Sequence, residues 1–264
     1  MTSTITIVFF LLGLAIGSFL NVVIYRMNTH QPFGGRSKCL SCRHTLAWYD
    51  LVPLFSFLVL KGRCRYCKAK ISFQYPIVEL ITGTIFGFLF WKFQFMFYIN
   101  TLSFFLVYTF YSLMFSLLVV IAVYDLRHKI IPDTLVFIFG ALSLLGMFFV
   151  NQYGFHAYWP GTMDLLSGPI IALPFAILWL VSKGNWMGLG DAKLALGLGW
   201  LVPFSVALSG LTISFWAGAV AGILMMFFSK KHSLKSEIPF APFLVFGFFL
   251  AFIFGYNLFP YLFF

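Results

Sequence analysis

Two groups of side chains in this sequence have the types and spacing for chemistry. Four cysteines stand as Cys39-Leu-Ser-Cys42 and Cys64-Arg-Tyr-Cys67, two similar Cys-x-x-Cys knuckles separated by 21 residues. Each knuckle turns two sulfurs toward one point, which is the expected form of a structural four-thiolate zinc site. Flanking Lys and Arg offset the charge that four thiolates gather around a divalent ion. The alternatives are disulfides, disfavoured in a reducing cytosol, and independent redox pairs, for which the chain shows no thioredoxin-like βαβ pattern.

The second group is acidic. Only seven carboxylates occur, Asp50, Glu79, Asp125, Asp133, Asp164, Asp191 and Glu237, in a chain that is 61% hydrophobic and 9% charged. Acids inside or beside membrane segments are functional hypotheses by default, because a charge near hydrocarbon is costly. Asp125 falls at the C-terminal end of an apolar run, where it opposes the helix dipole and cannot cap; its structural alternative is a salt bridge to Arg127, Lys129 or another chain segment. Asp191 follows Gly188-Leu-Gly190 at the start of another run, where an N-cap role competes. The two glycines admit close backbone approach beside it. Two carboxylates about 3 Å apart cannot both ionise, so one takes a proton from water while the other hydrogen-bonds a scissile carbonyl. Asp125 and Asp191 are therefore expected to form an aspartyl protease dyad. Asp133, after Pro132, reads as an ordinary helix start. No Ser-His-Asp set is visible, and His30, His44, His128, His156 and His232 form no metal-ligand cluster.

These groups need elements to hold them. A membrane-spanning helix takes about 20 apolar residues, since its backbone polar groups must be satisfied internally. Eight segments qualify, near 3–25, 76–97, 101–124, 133–150, 164–182, 191–207, 209–229 and 241–263. The expected fold is an all-α polytopic membrane protein of about eight transmembrane helices, with a small cytosolic zinc-binding domain inserted between helices 1 and 2. Residues 1–25 lack the positive n-region of a cleaved signal peptide and are expected to remain as the first transmembrane helix. Residues 26–75 form the small domain and 76–264 the transmembrane peptidase domain.

Orientation follows from the cations. Of 17 Lys and Arg, nine lie in the loop 26–75: Arg26, Arg36, Lys38, Arg43, Lys61, Arg63, Arg65, Lys68 and Lys70. Alternating the spans puts Arg127, Lys129, Lys183, Lys193, Lys230, Lys231 and Lys235 on the same side, leaving only Lys92 outside the pattern. That side is cytosolic, both termini are periplasmic, and Asp125 and Asp191 share one depth at the cytosolic face. The net charge of +10 then reflects topology and attraction to membrane lipid headgroups, with no support for nucleic-acid binding.

A domain of about 50 residues is too small to rely on an apolar core and needs a staple. Between its knuckles, Asp50 to Leu60 reads as a helix capped by Asp50 and stopped near Gly62, too short to cross a bilayer. It is expected either against the membrane surface or beneath the knuckles. Gly13 with Gly17, Gly83 with Gly87, and Gly218 with Gly222 are helix-packing pairs.

Several motifs, in order, resemble the type IV prepilin peptidase family over essentially the whole chain. They are Gly17-Ser-Phe-Leu-Asn21-Val-Val-Ile-Tyr-Arg26, the paired knuckles, Tyr75-Pro-Ile-Val-Glu79, Asp125 through Ile131-Pro-Asp133, Gly188-Leu-Gly-Asp191-Ala-Lys193 and Ile238-Pro-Phe-Ala-Pro-Phe243. The resemblance implies that Asp125 and Asp191 are the catalytic aspartates. It implies a bacterial inner-membrane enzyme that cuts the basic leader of prepilins or type II secretion pseudopilins after a glycine. It further implies methylation of the new N-terminus with S-adenosylmethionine, an activity associated in the family with the cysteine-containing domain. No Rossmann fingerprint is present, and Glu79 and Asn21 are the candidates for the methyl-donor site. Where many relatives carry Gly before the second Pro of the last motif, this chain has Ala241. The competing functions are a peptidase without methyltransferase activity, a non-catalytic scaffold and an ion-coupled transporter. A transporter would place its acids near the midplane and show inverted repeats.

Overall fold

The computed structural model describes residues 2–27, 34–151, 154–228 and 238–259. His30, Lys230, Lys231, His232, Lys235 and Glu237, used above for topology and site prediction, lie outside the described residues.

Helices dominate, as the apolar runs require: α1 (Thr2–Arg26), α2 (Phe55–Val59), α3 (Gln74–Ile99), α4 (Thr101–His128), α5 (Asp133–Gly146), α6 (Thr162–Ser182), α7 (Leu189–Leu201), α8 (Phe204–Phe228) and α9 (Ala241–Phe254). Strand among the described residues is confined to a two-residue antiparallel pair, β1 (Val150–Asn151) with β2 (Gly154–Phe155), and two isolated bridges in the cysteine domain. Each of the eight expected apolar segments contains a helix, but among the described residues only α1, α3, α4, α6 and α8 are long and apolar enough to cross a membrane by themselves. At about 1.5 Å per residue, helices of 13 and 14 residues such as α7, α5 and α9 reach only about 20 Å, short of the roughly 30 Å hydrocarbon core. The boundary between α7 and α8 falls at Val202–Pro203 rather than at 207–209. Proline pushes the residue before it out of the helical region, and Val202 is extended at φ −133°, ψ 157°.

The chain divides into two compact units, one of Met1–Ile99 with Tyr111–Ser116, the other of Asn100–Phe110 with Leu117–Phe264. In the first, α1 packs on α3 through the predicted glycines. A Cβ on Gly13 would stand 2.8 Å from the Gly83 Cα, and one on Gly17 would stand 2.8 Å from the Glu79 Cα, so the helix backbones meet directly. Ile24, Val78, Leu89 and Phe90 fill the interior beside that crossing. In the second, α6 packs on α7, α8 on α9, and α5 on α7, around Phe139, Phe175, Leu194, Leu198, Leu244 and Phe248. Here too glycine sets the closest approach. A Cβ on Gly199 would meet the Gly168 Cα at 2.7 Å, a contact that no four-residue glycine spacing announced. Buried Ser167 reinforces it by donating to the Gly199 carbonyl at 2.8 Å.

The segment between the knuckles departs from the single helix expected. Pro53 interrupts it, leaving a 3₁₀ turn at Trp48–Leu51 and the short α2. Asp50 does not cap α2. Its carboxylate accepts from the Ala47 N–H at 3.3 Å and from Arg65 Nε at 2.7 Å, because the charged guanidinium outcompetes a helix start across the proline. The stop at Gly62 is as expected, with φ +67° and its N–H donating to the Phe57 carbonyl at 2.9 Å.

Candidate active site and metal centre

Asp125 lies in the last turn of α4, which Lys129 terminates in the left-handed region while donating its N–H to the Asp125 carbonyl at 2.7 Å. Its side chain is only 4% exposed. The anticipated alternative, pairing with Arg127 or Lys129, is not what the carboxylate does. It accepts instead from the backbone N–H of Ala241 at 3.3 Å, at the N-terminus of α9. Helix N-termini carry free N–H groups, and this one supplies the buried carboxylate with a hydrogen-bond donor. Ala241 is fully buried. In the sequence, only the prolines that fix the entry to α9 hint at this contact across 116 residues.

Asp191 is not an N-cap. Gly188 occupies that position, and Asp191 sits two residues into α7 beyond Leu189, 8% exposed. Its Oδ1 is buried with no hydrogen-bond partner among the described residues. A buried carboxylate oxygen left unpaired is expensive, so it is an atom that calls for a proton, a water or a substrate group. Neither acid forms an ion pair among the described residues. Both aspartates belong to the same compact unit.

The glycine between Leu189 and Asp191 has a specific purpose. A Cβ on Gly190 would stand 2.8 Å from the Ile131 Cβ, inside ordinary contact distance. The segment after Asp125 therefore packs directly on the turn that carries Asp191. Lys193 extends the contact with a 2.7 Å ion pair to Asp133 and lies 5.2 Å over the Phe137 ring. Asp133 thus begins α5 as expected, and its carboxylate also links that helix to α7.

The cysteines form a separate centre in the other unit. The knuckles are built alike. Arg43 and Lys68, both in the left-handed region, donate their N–H groups to the carbonyls of Cys39 and Cys64 at 2.9 and 3.0 Å. Cys39 and Cys64 in turn donate to the carbonyls of His44 and Ala69 at 2.9 and 2.8 Å. A single β-bridge closes each knuckle, Lys38 to Thr45 and Arg63 to Lys70. Asp50 ties the second knuckle to the intervening segment through Arg65 and, at 3.4 Å, the Tyr66 hydroxyl. The His44 ring stacks on Tyr66 at 3.7 Å, joining the knuckles to each other.

All four sulfurs lie within 4.8 Å of one another, with Cys39 and Cys67 at 3.8 Å. A tetrahedron of thiolates about 2.3 Å from zinc has edges of about 3.8 Å, so the sulfurs fit that ion, whereas a disulfide would need about 2.05 Å. The backbone N–H of Cys42, foremost, lowers the Cys39 thiol to about 7. At Cys67 the Ala69 N–H favours the thiolate, but desolvation and hydrogen bonds to the other three thiols prevail and raise it to about 11. The four sulfurs cannot all ionise near neutral pH without a cation among them.

Glu79 and Asn21 belong to the same unit as the cysteines, and the aspartates belong to the other. Buried Glu79 accepts from the Leu54 N–H at 2.8 Å. Asn21 Nδ2 donates to the carbonyls of Tyr75 and Gly17 at 3.1 and 3.3 Å, and its buried Oδ1 has no partner among the described residues.

Comparison with known proteins extends this arrangement to a lineage. The profile of the type IV leader peptidase family matches residues 112–259, more than half of the chain and the whole stretch that carries both aspartates. The chain belongs to the type IV leader peptidase family. The bacterial peptidase A24 N-terminal domain matches residues 11–93, which include the four cysteines, Asn21 and Glu79. Among curated relatives, a prepilin leader peptidase/N-methyltransferase of Myxococcus xanthus is 35% identical over 86% of this chain and 65% of its own length. Proteins of the same name from Stutzerimonas stutzeri and Bacillus subtilis are 32% and 28% identical, covering 92% and 94% of this chain and 89% and 94% of their own. No solved structure matches the chain.

Proposed function

We propose that this leader peptidase family member is a bifunctional enzyme of the bacterial inner membrane. It cleaves the basic leader of type IV prepilins or type II secretion pseudopilins after a glycine, then methylates the new N-terminal residue. The observation that carries the reading is the pair of buried acids on α4 and α7, one held by a backbone N–H and the other with an oxygen left unpartnered.

Asp125, held by the Ala241 N–H, acts as the base. It takes a proton from a water that attacks the scissile carbonyl carbon, while Asp191, holding the pair's single proton, donates a hydrogen bond to the carbonyl oxygen. The tetrahedral adduct collapses when the C–N bond breaks and the departing amine receives the proton from the dyad. Carboxylates brought within about 3 Å of each other share one proton, which gives the two acids different tasks.

Cys39, Cys42, Cys64 and Cys67 would hold Zn²⁺, and their spacing supports a structural role in a domain of residues 26–75 that has little apolar interior of its own. S-adenosylmethionine supplies an electrophilic methyl group to an amine. Glu79 and Asn21 are the residues we put forward for its site, where a buried carboxylate and an unpaired amide oxygen offer acceptors to an ammonium group. Eight transmembrane passes with the short α5, α7 and α9 among them, cytosolic placement of both centres and periplasmic termini follow from the distribution of Lys and Arg. Detergent-solubilised enzyme tests the reading: a prepilin should lose its leader, and Asp125→Asn and Asp191→Asn should each leave it uncut.

A further inference from the structure

The domain between α1 and α3 carries more exposed apolar surface than a cytosolic domain of its size needs. Trp48, Phe55, Leu58 and Val59 are 79%, 65%, 72% and 58% exposed, and neither the 3₁₀ turn nor α2 has a buried residue. Of the two locations expected from sequence, these exposures favour the membrane surface. Scattered apolar side chains are ordinary, but large ones gathered on one short excursion mark an interaction surface.

Two contacts fix the depth of that excursion. Leu54, immediately before α2, donates its N–H to Glu79 Oε2 at 2.8 Å, and Glu79 lies five residues inside the start of α3. Leu51 and Pro53 face Ser18, Phe19 and Val22 of α1 across one open groove. Ser18 stands eight residues before the end of α1 at Arg26, which is about 12 Å along the helix axis. α1 has 25 residues, about 37 Å, against a hydrocarbon core of about 30 Å, so its ends overhang by only a few Å. Residues 51–54 therefore lie below the level of the headgroups. Interfacial helices bury their apolar faces about 5–10 Å into this boundary, which matches that depth.

We infer that residues 48–59 form a re-entrant interfacial element, with the side chains of Phe55, Leu58 and Val59 among lipid acyl chains. Its partner is an anionic bilayer leaflet. Lys61, Arg63, Lys68 and Lys70 are exposed just beyond α2, where cations meet lipid phosphates once the apolar face is inserted. Val52 is extended, Leu54 is in the left-handed half of backbone space at φ +56° and Gly62 follows at φ +67°, which bring the chain sharply into and out of the element.

The test uses the full chain with a photoreactive benzoylphenylalanine at position 58, reconstituted in phosphatidylglycerol–phosphatidylethanolamine vesicles and irradiated. Position 58 should form lipid adducts as readily as position 19, an exposed residue of α1. It should form about five-fold more than position 40, equally exposed but on the first knuckle. A probe at position 55 gives an independent measurement should the position 58 protein fail to fold. Adduct yields at 55 and 58 no higher than at 40, or cross-links to a second copy of the chain in place of lipid, would overturn the inference. The readout does not depend on peptidase or methyltransferase activity, so it is separable from the proposed function.

Discussion

Replacing Gly190 with alanine adds a single carbon at the point where the two aspartate-bearing segments touch. That Cβ would stand 2.8 Å from the Ile131 Cβ, and ordinary contacts begin near 3.4 Å. The start of α7 must therefore withdraw from Ile131 by about 0.6–1 Å, carrying Asp191 with it. Misplacing a reacting group by about 1 Å costs about 10²-fold in rate, whereas one overpacked methyl costs about 1–3 kcal/mol in stability. Gly190→Ala should accordingly fold and bind prepilin with little change in KM while kcat falls about 100-fold. A quenched peptide spanning the cleavage site, measured by initial rates in detergent, reads both constants. The clash is with the first carbon of the Ile131 side chain, so Ile131→Ala in the same protein should restore nothing, and Ile131→Gly should return at least a tenth of the lost rate. Wild-type kcat in Gly190→Ala would refute the claim that this contact sets the position of Asp191.

Other expectations bear on each centre separately. Asp125→Asn or Asp191→Asn should lower cleavage by about 10²–10⁴-fold with an unchanged unfolding temperature; full activity in either would exclude the dyad. Cys39→Ser should reduce bound zinc, measured by atomic absorption, and loosen residues 34–73 to proteolysis, with methylation suffering more than cleavage. Unchanged metal content would argue against four-thiolate binding. In chelator-treated protein at pH 8, Cys39, lowered to about 7, is mostly thiolate, and Cys67, raised to about 11, is mostly thiol. Mass mapping after brief alkylation should therefore find Cys39 modified first, and the reverse order would contradict the assigned environments. Asp133→Asn should lower stability by less than about 1 kcal/mol, because the Asp133 side chain is 62% exposed where it meets Lys193; a loss several times larger would mean that the pair is shielded from solvent by lipid.

The cysteine spacing and the apolar runs were legible because each carries its own geometry: Cys-x-x-Cys turns two sulfurs to one point, and an unbroken apolar stretch has few alternatives to a helix. Asp125 and Asp191 stood out by elimination and position, since so few acids exist in the chain, and the structure buries both. What sequence could not supply was contact across distance. Ala241 reaches Asp125 from a helix 116 residues away, and Gly168 meets Gly199 without belonging to any recognised glycine pair. Helix ends were misjudged where proline intervened. Pro203 moves the start of α8 forward, and Pro53 splits the segment that Asp50 was expected to cap, freeing its carboxylate for Arg65. Hydropathy alone also overstates the length of α5 and α9, because apolar loop residues at their ends score like helix, and it assigns to α7 residues that belong to α8.

The central claim is tested most directly by intact-mass analysis of a prepilin incubated in detergent with wild-type or Asp191→Asn protein, with and without S-adenosylmethionine. The account predicts loss of the leader with wild-type protein only, and a further gain of about 14 Da, one methylene, when the methyl donor is present. Loss of the leader without that gain would reduce the enzyme to a peptidase, and a prepilin left whole by wild-type protein, or cut equally by Asp191→Asn, would contradict the account.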